Sequence, residues 1–381
     1  MSEPFITRDR DSSLRRRRRW YSGTWWIWAS LIGATLWAIA RVGPRIPFPY
    51  SWYLGDKWPY PNLELIQAYK RTSPTGYLLA EFLRLDSSPW LVAYYFLAAL
   101  LASVLVAAWV WVELRGSQHR AKGFRIAVLG PLTGLLFLTI GSYDPFTALG
   151  LAIALFAWRT HSRVLFLLAG IYLGFQHFEQ SIVVIVSWSL ATLALQSDFP
   201  KPWSSRQNPI WLLPGAIVGK VTLSLIIAAQ GVDPAEGRLH WMESTYWLKQ
   251  AIVGSINFGP VLLLSFFAGA WAVVILTLMI PDTWRRRSYL LAALLIPAIF
   301  AVITLDHTRV FIMVTIPLVA ISTVIVLSHP RFSRNRELMI LIEALAWIMI
   351  PMTVQGTDVV YVDGFNVLDM GIMLLPQLIP L

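Results

Sequence analysis

Long apolar runs, separated by short polar segments, set the reading of this chain. The runs lie at 23–40, 89–113, 124–140, 145–158, 164–176, 180–196, 209–230, 258–281, 288–305, 308–328 and 338–354. A helix standing upright in a bilayer needs about 20 apolar residues. The runs from 124 to 196 are individually shorter, which predicts tilted, broken or re-entrant helices there. The pattern predicts an all-α polytopic transmembrane bundle of about 11 spans over 23–354, preceded by a basic tail at 1–22 and followed by a terminal segment at 355–381. There is no internal repeat, low-complexity tract or soluble linker.

Two polar segments between runs are long. Residues 41–88 open with Pro44, Pro47, Pro49, Pro59 and Pro61, then carry a helix-like stretch from Thr75 to Leu85. There Leu78, Leu79, Phe82, Leu83 and Leu85 make an apolar face beside the polar Glu81 and Arg84, predicting an amphipathic helix along the membrane interface. Residues 231–257, rich in Trp, His and acids, form the second long segment.

Charge gives these segments sides. With the N-terminus inside, segments 1–22, 113–125, 159–163, 197–207, 282–288 and 328–337 hold 21 of the 31 Lys and Arg but 7 of the 21 acids. Segments 41–88, 141–144, 177–179, 231–257, 305–309 and 355–381 hold 9 basic residues and 13 acids. This is the bias expected when basic loops stay cytoplasmic, and it predicts N-in, C-out. Arg15 to Arg19 precede an uncharged first run without a small-residue cleavage pattern, so that run reads as a retained span.

Composition narrows the chemistry. The chain is 56% hydrophobic and 14% charged, with a mean hydropathy of +0.59, so its solvent is lipid. Many of its 19 Trp sit near run ends, where the indole suits the headgroup layer. The net charge of +10 is explained by short cytoplasmic loops, and no nucleic-acid partner is expected. The absence of Cys excludes disulfides, thiolate nucleophiles and Cys-ligated metals.

Five polar clusters on the outer side are candidates for chemistry. In the first loop, Asp56 and Glu64 are carboxylates able to take a proton from a hydroxyl or hold a metal, or simply solvated loop acids. Asp144, within Gly141-Ser-Tyr143-Asp144-Pro145, is either a helix cap ahead of Pro145 or a functional carboxylate near the boundary. His177 and Glu179 interrupt two apolar runs; two residues apart, they would not share a helix face. Arg238 and His240 lie in the Trp-rich 231–257 loop among Asp233, Glu236 and Glu243, a mixture that suits carbohydrate or an interfacial helix. Asp306, His307 and Arg309 begin the tenth run. Arg309 stands on the side where basic residues are scarce, so it needs an anionic partner, either a phosphate or an internal acid such as Asp306. Lys220 lies mid-run and must be neutral, paired or snorkelling.

The order of these parts resembles the GT-C superfamily of membrane glycosyltransferases. The resemblance rests on an acid in the first outer loop, Ser73-Pro74-Thr75-Gly76-Tyr77-Leu78-Leu79 heading a helix before the second span, short spans around Asp144-Pro145, and a late span that begins Arg309-Val-Phe and contains Pro317. The chain departs from that family in having Asp56 alone where many members have two acids, Arg-Val-Phe for Arg-Tyr, and no large C-terminal soluble domain. The resemblance implies transfer of a sugar from a polyprenyl-phosphate carrier to a lipid-linked or surface glycan acceptor, in a bacterial inner membrane. Asp56 would be the base, with Glu64 in reserve. Arg309, with His307, would hold the carrier phosphate, and Asp144 would position the acceptor or a divalent ion. Mg2+ or Mn2+ is a conditional cofactor, with Asp56 or Asp144 as its ligand. The rivals are a polysaccharide polymerase or O-antigen-ligase-like enzyme led by Arg238 and His240, and a lipid-linked-sugar transporter using Lys220 and Arg309.

Overall fold

The computed structural model describes residues 25–43, 71–85, 88–198, 206–233, 245–304, 306–349, 353–355 and 358–360. In chain order its helices are α1 (Trp25–Ala40), α2 (Thr75–Phe82), α3 (Ser88–Glu113), α4 (Arg120–Val128), α5 (Pro131–Leu138), α6 (Asp144–Thr160), α7 (Arg163–Leu195), α8 (Leu212–Ala229) and α9 (Thr245–Asn257). They continue with α10 (Gly259–Phe267), α11 (Trp271–Leu278), α12 (Trp284–Val302), α13 (His307–Ser328), α14 (Pro330–Ser333) and α15 (Arg336–Ile348). The strands among the described residues are an antiparallel hairpin, β1 (Thr353–Gln355) with β2 (Asp358–Val360), in register Val354 with Val359. Its first strand occupies the end of the run read as a span to 354. Val354 N–H donates to Thr308 Oγ1 at 3.0 Å, tying the hairpin to the head of α13.

Among the described residues, six helical stretches are long and apolar enough to cross a membrane: Trp90–Glu113, Arg120–Leu138, Arg163–Leu195, Pro209–Ala229, Gly259–Leu278 and His307–Ser328. This makes the chain a multi-pass helical membrane protein by length and composition. α13 is the central post, with 94% of its apolar window buried. Phe311 stacks flat on Phe266 of α10 at 3.8 Å between centroids.

Three of the six are interrupted. α4 and α5 are separated at Gly130, whose extended backbone places Pro131 at the first position of α5, where its missing N–H costs nothing. Gly259–Leu278 breaks at Ala268, which sits at φ +44. Here Leu345 O of α15 lies where a Cβ on Gly269 would be, 2.6 Å away, so the break fits the close approach of α15.

α7 is not one rod. A straight helix would put Phe166 and Trp188 roughly 33 Å apart, yet their rings lie 6.4 Å from each other. The chain reverses at His177, which has extended backbone angles (φ −163, ψ 84). Ser181 Oγ stands 2.9 Å from Leu173 O and 2.6 Å from His177 O, closing the turn. The separate runs 164–176 and 180–196 are therefore the two legs of one helical hairpin.

The first leg packs parallel to α8 through paired small residues four apart. Gly170 and Gly174 face Gly215 and Gly219, and a Cβ on Gly174 would come within 1.9 Å of Ala216 O. Such spacing lets two backbones touch where no hydrophobic effect drives helices together. The second leg packs antiparallel to α12: Ser187 Oγ donates to Ala293 O at 2.6 Å, and Arg286 Nε donates to Ala194 O at 2.7 Å.

Polar contacts gather at two ends of the bundle. At one end Glu113 is held by Arg159 (3.2 Å) and Arg206 (2.9 Å), Arg286 pairs with Asp198, and His119 Nε2 meets Ser333 O at 2.9 Å. Burial keeps the Arg206 guanidinium below its usual range, against the opposing pull of the Glu113 carboxylate. Near α1, Glu343 pairs with Lys122 (3.1 Å) and Arg125 (2.6 Å). Arg41, 4% exposed, donates to Ala346 O, Met349 O and Leu129 O, so one guanidinium caps the C-termini of α15 and α4. The opposite end carries the cluster described next.

Candidate functional site

Asp144, His177, Glu179, Lys220, Asp306 and Arg309, read as separate signals, form one cluster. α13 delivers Arg309, one turn from its N-terminus. The Arg309 Nε–H donates to Asp144 Oδ2 at 2.6 Å, Nη2 approaches Asp144 Oδ1 at 3.4 Å, and Nη1 donates to Asp306 Oδ2 at 2.9 Å. Asp144 is fully buried, and Ser142 Oγ donates to its Oδ2 at 3.0 Å. Asp144 is thus not the cap expected from Asp-Pro. Tyr143 occupies that position and Asp144 is the first helical residue, its side chain spent on Arg309. Of the two partners considered for Arg309, the structure supplies the internal acids.

The second half of the cluster is built by the α7 reversal. Because His177 leaves helical geometry, the expectation that it and Glu179 point apart fails: His177 Nδ1 lies 3.4 Å from Glu179 Oε2. Glu179 Oε1 is 3.4 Å from Lys220 Nζ, so Lys220 is paired. It also sits over the Phe178 ring at 5.8 Å. Lys220 follows Gly219 directly, so the glycine contact that seats α8 on α7 also sets this pair.

Tyr143 joins the halves. Its ring carries the Arg309 guanidinium at 4.8 Å and meets the His177 ring edge-on at 5.3 Å. Gln176 braces it from below by donating to Tyr143 O at 3.3 Å, and accepts from Thr75 N–H of α2 at 3.1 Å. α2 is thereby seated on the cluster. Its Gly76, Tyr77 and Ala80 face the bundle, while Leu79, Phe82 and Leu83 are exposed, as an interfacial helix requires. The stretch expected to be helical to Leu85 ends at Phe82.

His307 is buried on α13, its Nδ1 3.0 Å from Ala301 O at the end of α12, so this nitrogen ties the α12–α13 turn. Asp56, Glu64, Arg238 and His240 lie outside the described residues. Sequence reasoning gave Tyr143 and Gln176 no role, because each acts through a ring face or an amide rather than a charge. The glycine pairs were missed although both are legible as small residues four apart.

The donor set bears on a metal. Asp144 and Asp306 share one guanidinium, that of Arg309. Among the described residues, no group of three or more His, Asp or Glu is arranged to hold a metal ion.

The chain matches no protein-family model, no curated protein and no solved structure.

Proposed function

We propose that this protein is a GT-C-like membrane glycosyltransferase, N-terminus inside and C-terminus outside, in which two of the eleven apolar runs, 164–176 and 180–196, form a re-entrant hairpin and the others are spans. The observation that carries this reading is the seating of an interfacial helix, α2, on a buried acid–arginine cluster at one end of a polytopic bundle. Topology has separate support. Each pairing above outside the apolar runs joins segments assigned to one side: Glu113 with Arg159 and Arg206 inside, and Asp144 with Asp306 and Arg309 outside.

In the proposed reaction the acceptor hydroxyl attacks the sugar's anomeric carbon and the carbon–oxygen bond to the carrier phosphate breaks. The phosphate leaves with the electron pair, and the hydroxyl proton passes to Asp56, with inversion. Glu64 is the reserve base. Arg309 stabilises the phosphate only by exchanging one of its carboxylates for it. Asp144 holds Arg309 in place and orients the acceptor side.

A transporter of lipid-linked sugars is the second reading. It is favoured by the Glu179–Lys220 pair part-way along a spanning helix, where ionisable groups commonly mark a path. Mass spectrometry of lipid-linked and surface glycans, with and without the gene, separates the readings. A product lacking one sugar, with its precursor accumulating, is expected. Single repeat units without long polymer would favour a polymerase or ligase, and unchanged glycans would overturn the enzyme reading. In purified protein, Asp56→Asn is expected to abolish transfer while donor binding persists.

A further inference from the structure

The α7 reversal is too shallow to reach the far side of a bilayer. From Arg163 to Gln176 the first leg rises only ~21 Å, against a hydrocarbon thickness of about 30 Å. Its parallel neighbour α8 continues from Lys220 to Ala229, a further ~14 Å. His177, Phe178 and Glu179 therefore lie roughly 10 Å below the end of α8.

At that depth the side chains of Glu179 and Lys220 are 27% and 30% exposed. Charged groups turned toward hydrocarbon at such a level are costly and normally face protein or water. The cluster around them contains three carboxylates, Asp144, Asp306 and Glu179, and two cations, Arg309 and Lys220. Among the Asp, Glu, Lys and Arg side chains, acids outnumber bases by one.

We propose that the reversal at His177 is the floor of a water-filled vestibule that admits neutral hydroxylated or cationic groups and disfavours anions. This rests on the membrane reading above and deepens it. The hydroxyl-bearing acceptor enters by this route, and the carrier phosphate does not.

This 381-residue chain has no Cys, so single-Cys variants report without background. Phe178→Cys keeps both charges of the ion pair, and Lys220→Cys tests the same floor from α8. Val221, 51% exposed at the same depth, and Gln230, exposed just past the end of α8, are the controls. Intact cells receive charged, membrane-impermeant thiol reagents, one trimethylammonium and one sulfonate.

Phe178→Cys and Lys220→Cys are expected to react, and Val221→Cys, though more exposed, to stay unreactive because it faces lipid. With each reagent's rate normalised to Gln230→Cys, the cationic reagent is expected to lead at Phe178→Cys by roughly tenfold, as a cleft of one sign concentrates counter-ions. If both floor cysteines react no faster than Val221→Cys while Gln230→Cys labels, there is no vestibule. A lead for the sulfonate would overturn the charge preference. Glycan profiles test the transferase reading independently. Labelling of Gln230→Cys only in inverted vesicles would reverse the orientation and leave the depth comparison intact.

Discussion

Removing the Asp144 carboxylate would leave Arg309 with Asp306 alone, and would strand a cation at the head of the most buried helix. Breaking a buried pair from one side commonly costs about 3–5 kcal/mol, whereas replacing both partners with apolar groups is often neutral. Asp144→Ala is therefore expected to lower the thermal midpoint of the detergent-solubilised protein sharply. The double variant Asp144→Leu/Arg309→Leu should recover much of that loss. A double variant as unstable as the single one would mean that Arg309 is needed for folding in its own right. Arg309 was legible in the sequence because a cation in a segment otherwise poor in basic residues departs from the charge bias. Its main partner was not, since 165 positions separate them and nothing local marks Asp144 as the acid that would be chosen. The same holds for Lys220, whose need for a partner was plain and whose partner, Glu179, was fixed by a turn that had yet to be seen.

The elements obey two kinds of instruction. The reversal at His177 is written locally: Gln176-His177-Phe178-Glu179-Gln180 interrupts two apolar runs, each too short to cross alone. The break at Gly130 is also local, a Gly-Pro step inside a run expected to be broken, whereas the one at Ala268 carries no such mark. At Ala268 the cause is the approach of α15 from far along the chain. Contact between α7 and α8 offers a clean test at this scale. A side chain on Gly174 has to displace backbone at Ala216, so Gly174→Val is expected to separate the helices, pull Lys220 from Glu179 and reduce the yield of folded protein. Gly33→Ala, on α1 with nothing within 4 Å of the added carbon, should be tolerated. Equal tolerance at both positions would show that the glycine contact does not hold the pair together.

For the whole molecule, the charge bias assigns a side to each polar segment. Reporter fusions after residues 120 and 205 are expected to read cytoplasmic, and fusions after 240 and 381 external. A cytoplasmic reading after 240 would invert everything that follows α8. The helical, multi-pass character of the chain was legible from hydropathy alone, because lipid leaves the backbone few alternatives to helix. The terminal hairpin was not legible, since its first strand continues an apolar run and its pairing depends on the head of α13.

Arg41 binds the first helix to carbonyls that are made at very different times during synthesis. Leu129 lies 88 positions later in the chain, and Ala346 and Met349 more than 300. Until α15 has been inserted, the N-terminal helix holds a cation whose hydrogen bonds are mostly unmade. Other ties of α1, Ser30 to Arg125 and Trp28 against Trp111, are to α4 and α3 and form earlier, so it is the Arg41 end of the helix that waits for α15. A fragment ending before residue 336 would lack two of the three carbonyls that hold Arg41, leaving a cation with one acceptor at the end of α1.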